Sequence, residues 1–332
     1  MIDTIEMEAP AVPGLRFRRY RGEDDLPAML EVYTAAQEAD GLEEVTTLEQ
    51  LRLNYANLVN CDPSRDITIA EVEGRVVAYA RVFWQELVEG GRSYECFGFV
   101  HPDWRRRGIG GAMLRRNEAL LRETASGHAK VEPKWLSSET VEASAGAVEL
   151  LRREGYAPVR YFFEMVAPTL EPIAPPPIPE GIEVRAVTRD QYRAIWNAQA
   201  EAFRDHWGET EWTEQDWRRW EADPQMQDPR FWRVGWDGGD VAGVIVTTVP
   251  AEENERHGRS RVYVAGVSVR RPWRRRGLAR ALLASSLVAA REAGFDSASL
   301  GVDADSPTGA TALYESLGFR PERTFTAWRK PL

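Results

Sequence analysis

The 332-residue chain carries 42 Lys and Arg against 52 Asp and Glu, a formal net charge of −10, which argues against nucleic acid as a partner because such binding relies on a basic footprint. No apolar run reaches the ~20 residues that span a bilayer, and the first residues, Met-Ile-Asp-Thr-Ile-Glu-Met-Glu, lack the basic and apolar regions of a secretory signal. The expectation is a cytoplasmic protein with no membrane partner. Cys61 and Cys96 are too few for a disulfide framework, and the 4 histidines show no ligand spacing, so no metal is expected.

Length alone suggests about two domains, and the elements repeat in order. A strand near Leu15 to Tyr20 precedes a helix, and a second helix opens at Thr47, whose side chain forms a capping box with Gln50. Two strands joined at Glu73-Gly74 form a hairpin. A third strand, with Cys96 as a small buried hydrophobe, runs into an arginine-rich turn and a helix, followed by a strand, a helix and a strand. Residues Pro168 to Gly181 hold Pro168, Pro172, Pro175, Pro176, Pro177 and Pro179, a semi-rigid extended connector. The order then recurs: a strand at Ile182 to Val187, a second helix capped by Thr213 with Asp216, and a hairpin at Asp237-Gly238-Gly239 that makes Val241-Ala242-Gly243 equivalent to Val76-Val77-Ala78. Ala279, Leu282, Leu283, Ser286, Leu287 and Ala290 share one face of the helix after the second turn. A strand at Ser297 to Val302 precedes a last helix with Ser306 as N-cap, Pro307 at its first position and Gly318 as its stop. The expected division is 1–167, a connector at 168–181, and 182–332.

The arginine turns are near copies: Phe97-Gly-Phe-Val-His-Pro-Asp-Trp-Arg-Arg-Arg-Gly-Ile-Gly110 and Gly266-Val-Ser-Val-Arg-Arg-Pro-Trp-Arg-Arg-Arg-Gly-Leu-Ala279. Glycines where a strand feeds a helix let backbone N–H groups converge, and the helix N-terminus adds its positive end, so each turn suits a phosphate. Neither copy has the Gly-Lys-Ser/Thr of a P-loop or the three glycines of a dinucleotide fingerprint. Both match Arg/Gln-x-x-Gly-x-Gly/Ala, at Arg105-x-x-Gly108-x-Gly110 and Arg274-x-x-Gly277-x-Ala279. The chain therefore resembles the GCN5-related N-acetyltransferase (GNAT) superfamily as a tandem two-domain member, with an α/β fold built on a mixed sheet in each half.

The resemblance implies acetyl-CoA (coenzyme A) as cofactor. Its pyrophosphate falls to Arg105, Arg106, Arg107, Gly108, Ile109, Gly110 and Gly111 in the first copy, and to Arg274, Arg275, Arg276, Gly277, Leu278, Ala279 and Arg280 in the second. Its pantetheine arm pairs with the preceding strands, Gly98, Phe99 and Val100 or Val267, Ser268 and Val269, the latter also supplying an oxyanion N–H; Ser306 stands where the family often has Asn. The family's Leu-Tyr-x-x-x-Gly-Phe motif, here Leu313 to Phe319, makes Tyr314 the acid for the departing thiolate. The first half has Leu151 there, which assigns catalysis to the second half and leaves the first catalytically degenerate.

Counting back from the loop glycines puts Tyr263 and Tyr94 where many members have a glutamate, with Glu95 facing the other way. Asp303, Asp305, Glu211 and His206 are the candidate bases. The Trp-rich stretch Asp205 to Trp220 covers the acceptor side: Trp212, Trp217 and Trp220 as packing, and Trp207 with Asp205, Glu209 and Glu211 as an acidic aromatic pocket for a cationic amine. The reading is acetyl transfer to a primary amine of a small molecule by direct attack in a ternary complex. The alternatives are a protein or peptide acetyltransferase and a non-catalytic acyl-CoA-binding regulatory protein. Oligomeric state and acyl chain length stay open.

Overall fold

The computed structural model describes residues 4–171, 173–306 and 308–332. Met1 to Asp3, Pro172 of the connector and Pro307 of the expected helix start lie outside the described residues. The chain forms two compact units, Met1–Arg160 with Phe325–Leu332, and Tyr161–Thr324. These differ from the expected division, because each half gives its last strand to the other unit.

Unit 1 contains β1 (Leu15–Arg19), α1 (Leu26–Ala39), α2 (Leu48–Ala56), the short α3 (Pro63–Asp66), β2 (Ile67–Val72), β3 (Arg75–Glu86), β4 (Arg92–Val100), α4 (Ile109–Ser126), β5 (Lys134–Val141) and α5 (Ala145–Arg153). The next strand, β6 (Ala157–Ala167), pairs antiparallel with β11 of unit 2, Ala167 opposite Ala298 through Phe162 opposite Asp303. The last strand, β12 (Arg320–Pro331), pairs antiparallel with β5, Phe325 opposite Val141 through Pro331 opposite Trp135. The sheet of unit 1 thus runs β1-β2-β3-β4-β5-β12, antiparallel apart from the β4–β5 pair.

Unit 2 repeats the plan with β7 (Glu183–Arg185), α6 (Tyr192–Phe203), α7 (Glu214–Ala222), β8 (Arg233–Asp237), β9 (Asp240–Thr248), α8 (Ala251–His257), β10 (Arg261–Val269), α9 (Leu278–Glu292), β11 (Ser297–Asp303) and α10 (Ala310–Glu315), in the sheet order β6-β11-β10-β9-β8-β7. Both expected capping boxes are formed, at Thr47 with Gln50 and at Thr213 with Asp216. No helix among the described residues is long and apolar enough to cross a membrane.

Each sheet is covered on both faces. In unit 2, α9 buries Leu278, Leu282, Leu283 and Leu287 against Ile245, Val262 and Leu300, and α10 adds Tyr314. On the other face α6 and α7 pack Tyr192, Ile195, Trp217 and Trp220 over Val234, Val244 and Val246. The connector is part of this unit: Leu170 is fully buried in its core, with Ile173 and Ile178 packed beside it. In unit 1, Trp328 of β12 is fully buried with Leu114, Leu121, Leu136 and Leu151, and its indole donates to Thr140 Oγ1 at 2.8 Å.

Candidate active site

The two arginine turns adopt one backbone path. Arg106 and Gly108 sit at φ 63° and 83°, and Arg275 and Gly277 at φ 59° and 81°. An arginine held in the left-handed region costs on the order of 1 kcal/mol or more, a strain seen where function requires it. Gly108 and Gly277 are the N-caps of α4 and α9 and, lacking side chains, leave the first-turn N–H groups without a side-chain cap. Nothing lies within 4 Å of the Cβ position at Gly277, whereas Pro10 Cβ stands 3.0 Å from that position at Gly108. The second turn therefore has the residues and the room for a diphosphate.

The first arginine of each triplet faces inward. Arg274 donates through Nε to Val269 O at 2.8 Å, through Nη1 to Asp205 at 2.6 Å and through Nη2 to Ala202 O at 3.3 Å. Arg105 makes the same bonds to Val100 O, Asp40 and Ala36 O. These guanidiniums latch each turn to the C-terminal end of the preceding α1 or α6. Arg271 also binds Asp205, and hydrogen bonds from Arg271 and then Arg274 hold its carboxyl well below the usual carboxylate range despite burial. Arg276 donates to Glu180 O at 2.8 Å, while Arg275 and Arg280 are exposed beside the turn.

Ahead of the turns the central parallel strands part. β10 pairs with β11 only from Arg261 opposite Ser297 to Val264 opposite Leu300, leaving Val267, Ser268 and Val269 without a β11 partner. In unit 1 the pairing ends at Glu95 opposite Ser137, ahead of Gly98, Phe99 and Val100. β10 carries a register shift between Val264 and Gly266, where Ala265 is the extra residue. One inserted residue moves every earlier side chain to the opposite face. Tyr263 stands opposite Thr248 and is matched in unit 1 by Glu95, opposite Phe83, so the expected equivalence with Tyr94 is corrected. Tyr94 is buried on the α4 face and meets His128 Nδ1 at 3.0 Å. Glu95 accepts from Ser93 Oγ, and burial raises its carboxyl pKa.

The α1/α6 faces of the two units differ in volume at matched register positions. Unit 1 places Tyr79, Arg81 and Phe83 of β3 opposite Phe99, Phe97 and Glu95 of β4. The Arg81 guanidinium lies over the rings of Tyr55, Phe83 and Phe97 at 5.3, 5.5 and 4.6 Å, and Phe99 meets Tyr33 edge-on and Tyr79 at a tilt. Unit 2 has Val244, Val246 and Thr248 opposite Ser268, Gly266 and Tyr263. The face that unit 1 fills with aromatic rings is lined in unit 2 by small side chains, with Tyr263 37% exposed. The Tyr263 hydroxyl is 3.7 Å from where Gly301 would carry a Cβ, and Glu164, opposite Gly301 on β6, is bound by Arg323 at 2.9 Å.

Tyr314 is 6% exposed, on the α9 face of β11, with its ring 6.1 Å from Phe319. Burial raises its phenol pKa well above 10. Leu151 is likewise buried in α5. The last helix begins later than expected: its N-cap is Gly309, and Ser306 sits in the turn after β11, where its hydroxyl meets Thr308 Oγ1 at 3.0 Å. The turn chemistry of Asp303, which accepts from Asp305 N at 3.0 Å, delays the helix.

The expected acidic pocket is not assembled. Asp205 is neutralised by two arginines, Glu211 is exposed and paired with Arg204, and Glu209 accepts from Trp212 Nε1 at 2.8 Å while burial raises its pKa. Trp207 lies 6.2 Å from Phe162 of β6. Trp212 and Trp217 pack against Trp196 of α6, and Trp217 stacks on Trp220, as the packing reading expected. Among the candidate bases, His206 is half-buried against Phe203 at 4.5 Å; burial lowers its pKa and the field of Asp303 opposes that. Gln199, Thr248 and Glu164 had no motif to announce them; Thr248 and Glu164 emerge from the strand pairing and Gln199 from the packing of α6 on Gly266.

The model of the acetyltransferase (GNAT) family matches residues 26–156 and again 192–319. The chain belongs to this family. It is 31% identical to a mycothiol acetyltransferase of Geodermatophilus obscurus, over 91% of this chain and 93% of that protein, and 33% identical to one of Salinispora arenicola over 89% and 91%. The GCN5-related N-acetyltransferase from Sphaerobacter thermophilus superposes with a TM-score of 0.71 at 27% identity, covering 96% of this chain and 95% of that one. A tandem GNAT protein of the clavulanic acid biosynthesis pathway shares the fold, with a TM-score of 0.63 at 17% identity. This GNAT protein is thus an N-acetyltransferase with two copies of the domain, as the repeated turns implied.

Proposed function

We propose that unit 2 transfers the acetyl group of acetyl-CoA to a primary amine of a small molecule, while unit 1 has lost that chemistry. The observation that carries this reading is the volume difference on the α1/α6 faces, where Val246, Thr248, Gly266 and Ser268 stand in place of Arg81, Phe83, Phe97 and Phe99. The relatives named mycothiol acetyltransferase support a small-molecule acceptor. The cofactor supplies an activated thioester carbonyl.

In this reading the backbone N–H groups of Gly277, Leu278, Ala279 and Arg280 bind the diphosphate with Arg275 and Arg276 at its rim, while Arg274 positions the turn through Asp205. The unpaired edge of Val267, Ser268 and Val269 holds the pantetheine arm and aims an N–H at the developing oxyanion. The amine must be neutral to attack; His206, whose depressed pKa keeps its imidazole uncharged at neutral pH, removes the proton beside Asp303. Tyr314, kept protonated by burial, donates a hydrogen bond to the departing sulfur.

The test is thiol release from acetyl-CoA with a panel of small amines, comparing wild type with Tyr314→Phe and a His206→Gln variant. Amine-dependent release that both substitutions slow supports the assignment. Release unaffected by either, or confined to peptide substrates, overturns it.

A further inference from the structure

We propose that the acceptor is a hydroxyl-bearing amine, recognised through Gln199 and Thr248; the inference rests on the assignment of acetyl transfer to the cleft of unit 2. Gln199 projects from α6 onto the bulged strand, where a Cβ at Gly266 would meet its Oε1 at 2.8 Å and its Cδ only at 4.0 Å. The amide oxygen therefore abuts the glycine and the NH2 group points away from it. That Nε2 is buried with no hydrogen-bond partner, and Gln199 is 3% exposed. Thr248, opposite Tyr263 at the next position along the same face, is 2% exposed and its Oγ1 also has no partner.

Buried polar side-chain atoms are nearly always satisfied; the Trp232 and Trp236 indole N–H groups on this face also lack a partner, but Gln199 and Thr248 are the two beside β10, Gln199 against Gly266 and Thr248 opposite Tyr263, and these two call for a ligand with matching groups. The chemistry of the pair limits that ligand. An amide NH2 needs an oxygen acceptor, which an ammonium or alkyl chain cannot supply, and a threonine hydroxyl pairs equally with a donor or an acceptor. A hydroxyl satisfies both. The carboxylates that would favour a second cation are engaged elsewhere, Asp205 by Arg271 and Arg274, Glu164 by Arg323, and Glu209 by Trp212. In unit 1 Tyr55 and Arg81 leave a hydroxyl and an Nε without a partner on this face, but neither the amide nor the threonine recurs. Counting three residues back from the latch carbonyls of Ala36 and Ala202 puts Tyr33 at the place of Gln199, and its hydroxyl already accepts from Gln37 Nε2 at 3.0 Å. Phe83 replaces Thr248.

The experiment compares kcat/KM, at saturating acetyl-CoA, for matched amines: glucosamine against cyclohexylamine, and serinol against isopropylamine, in wild type, Gln199→Leu, Thr248→Val and Thr248→Ser. The expected result is a preference for the hydroxylated member that falls about tenfold or more in Gln199→Leu and Thr248→Val and returns in Thr248→Ser, since sites built to bond a hydroxyl discriminate against its absence. Equal turnover of both members, or an unchanged preference in the isosteric Thr248→Val, overturns the inference and leaves acetyl transfer standing. Absence of turnover on every amine overturns the assignment of the cleft as well.

Discussion

Tyr314 is the residue where packing and chemistry are easiest to separate. Its ring fills the α9 face and its hydroxyl has no hydrogen bond among the described residues, so Tyr314→Phe keeps the packing and removes only the proton donor. We expect kcat to fall about 10²-fold with the thermal midpoint unchanged; a variant that loses stability in step with activity would mark the hydroxyl as structural. His206 gives a pH signature. Because burial lowers its pKa below the usual 6.5, its imidazole is mainly neutral at pH 7, and kcat/KM should rise with pH along an acid limb whose midpoint lies below that of a free imidazole. In His206→Gln that acid limb should disappear along with most of the rate.

The arginine–aspartate latch has a pH dependence of opposite origin. The folded carboxyl of Asp205 titrates below its unfolded value of about 3.9. Its stabilisation is therefore complete above that unfolded value and drains away as the pH falls toward the folded one. In Asp205→Asn the thermal midpoint should be lower at neutral pH and should fall less steeply than that of wild type between about pH 5 and pH 2. The Michaelis constant for acetyl-CoA should rise, because the turn loses its tether to α6. An unaltered constant would show that the turn holds its path without the latch.

At the level of elements, the order of helices and strands was legible because its signals are local. The capping boxes at Thr47 and Thr213, the hairpin glycines and the left-handed turn glycines each act within a few residues. What escaped was pairing. Alternation says that β6 and β12 are strands, but not that β6 joins β11 and β12 joins β5, since either partner presents the same pleat. The bulge at Ala265 was equally silent, and it turned a count from Gly277 into the wrong equivalence for Tyr94. The orphaned Thr248 follows from that same register and Gln199 from the packing of α6 on Gly266, and neither had a sequence signature. The exchange of strands carries a stability prediction: Trp328→Ala empties the largest fully buried side chain of unit 1 and strands Thr140 Oγ1. The cost should be about 3–5 kcal/mol, read by denaturant unfolding. A cost under about 1 kcal/mol would mean that β12 is dispensable to that core.

For the whole molecule, the duplicated turns raise the question of stoichiometry. Pro10 rests against Gly108 while Gly277 is open, and Ile5, part of the same N-terminal arm, is buried in the α4 core with Met7 and Val12 packed beside it. Calorimetric titration with coenzyme A should therefore give one site per chain, and removal of residues 1–12 should uncover a second, weaker one. Two equal sites in the full chain would show that the arm yields to the ligand.

The reciprocal loan of β6 and β12 also sets a timetable for biosynthesis. While the ribosome is still making unit 2, the first sheet lacks its Trp328-bearing edge, and the β5 backbone waits for a partner encoded almost two hundred codons downstream. The amino-terminal sheet is therefore completed only after unit 2 has been synthesised. A nonsense mutation at Phe325 would injure the half that was synthesised first.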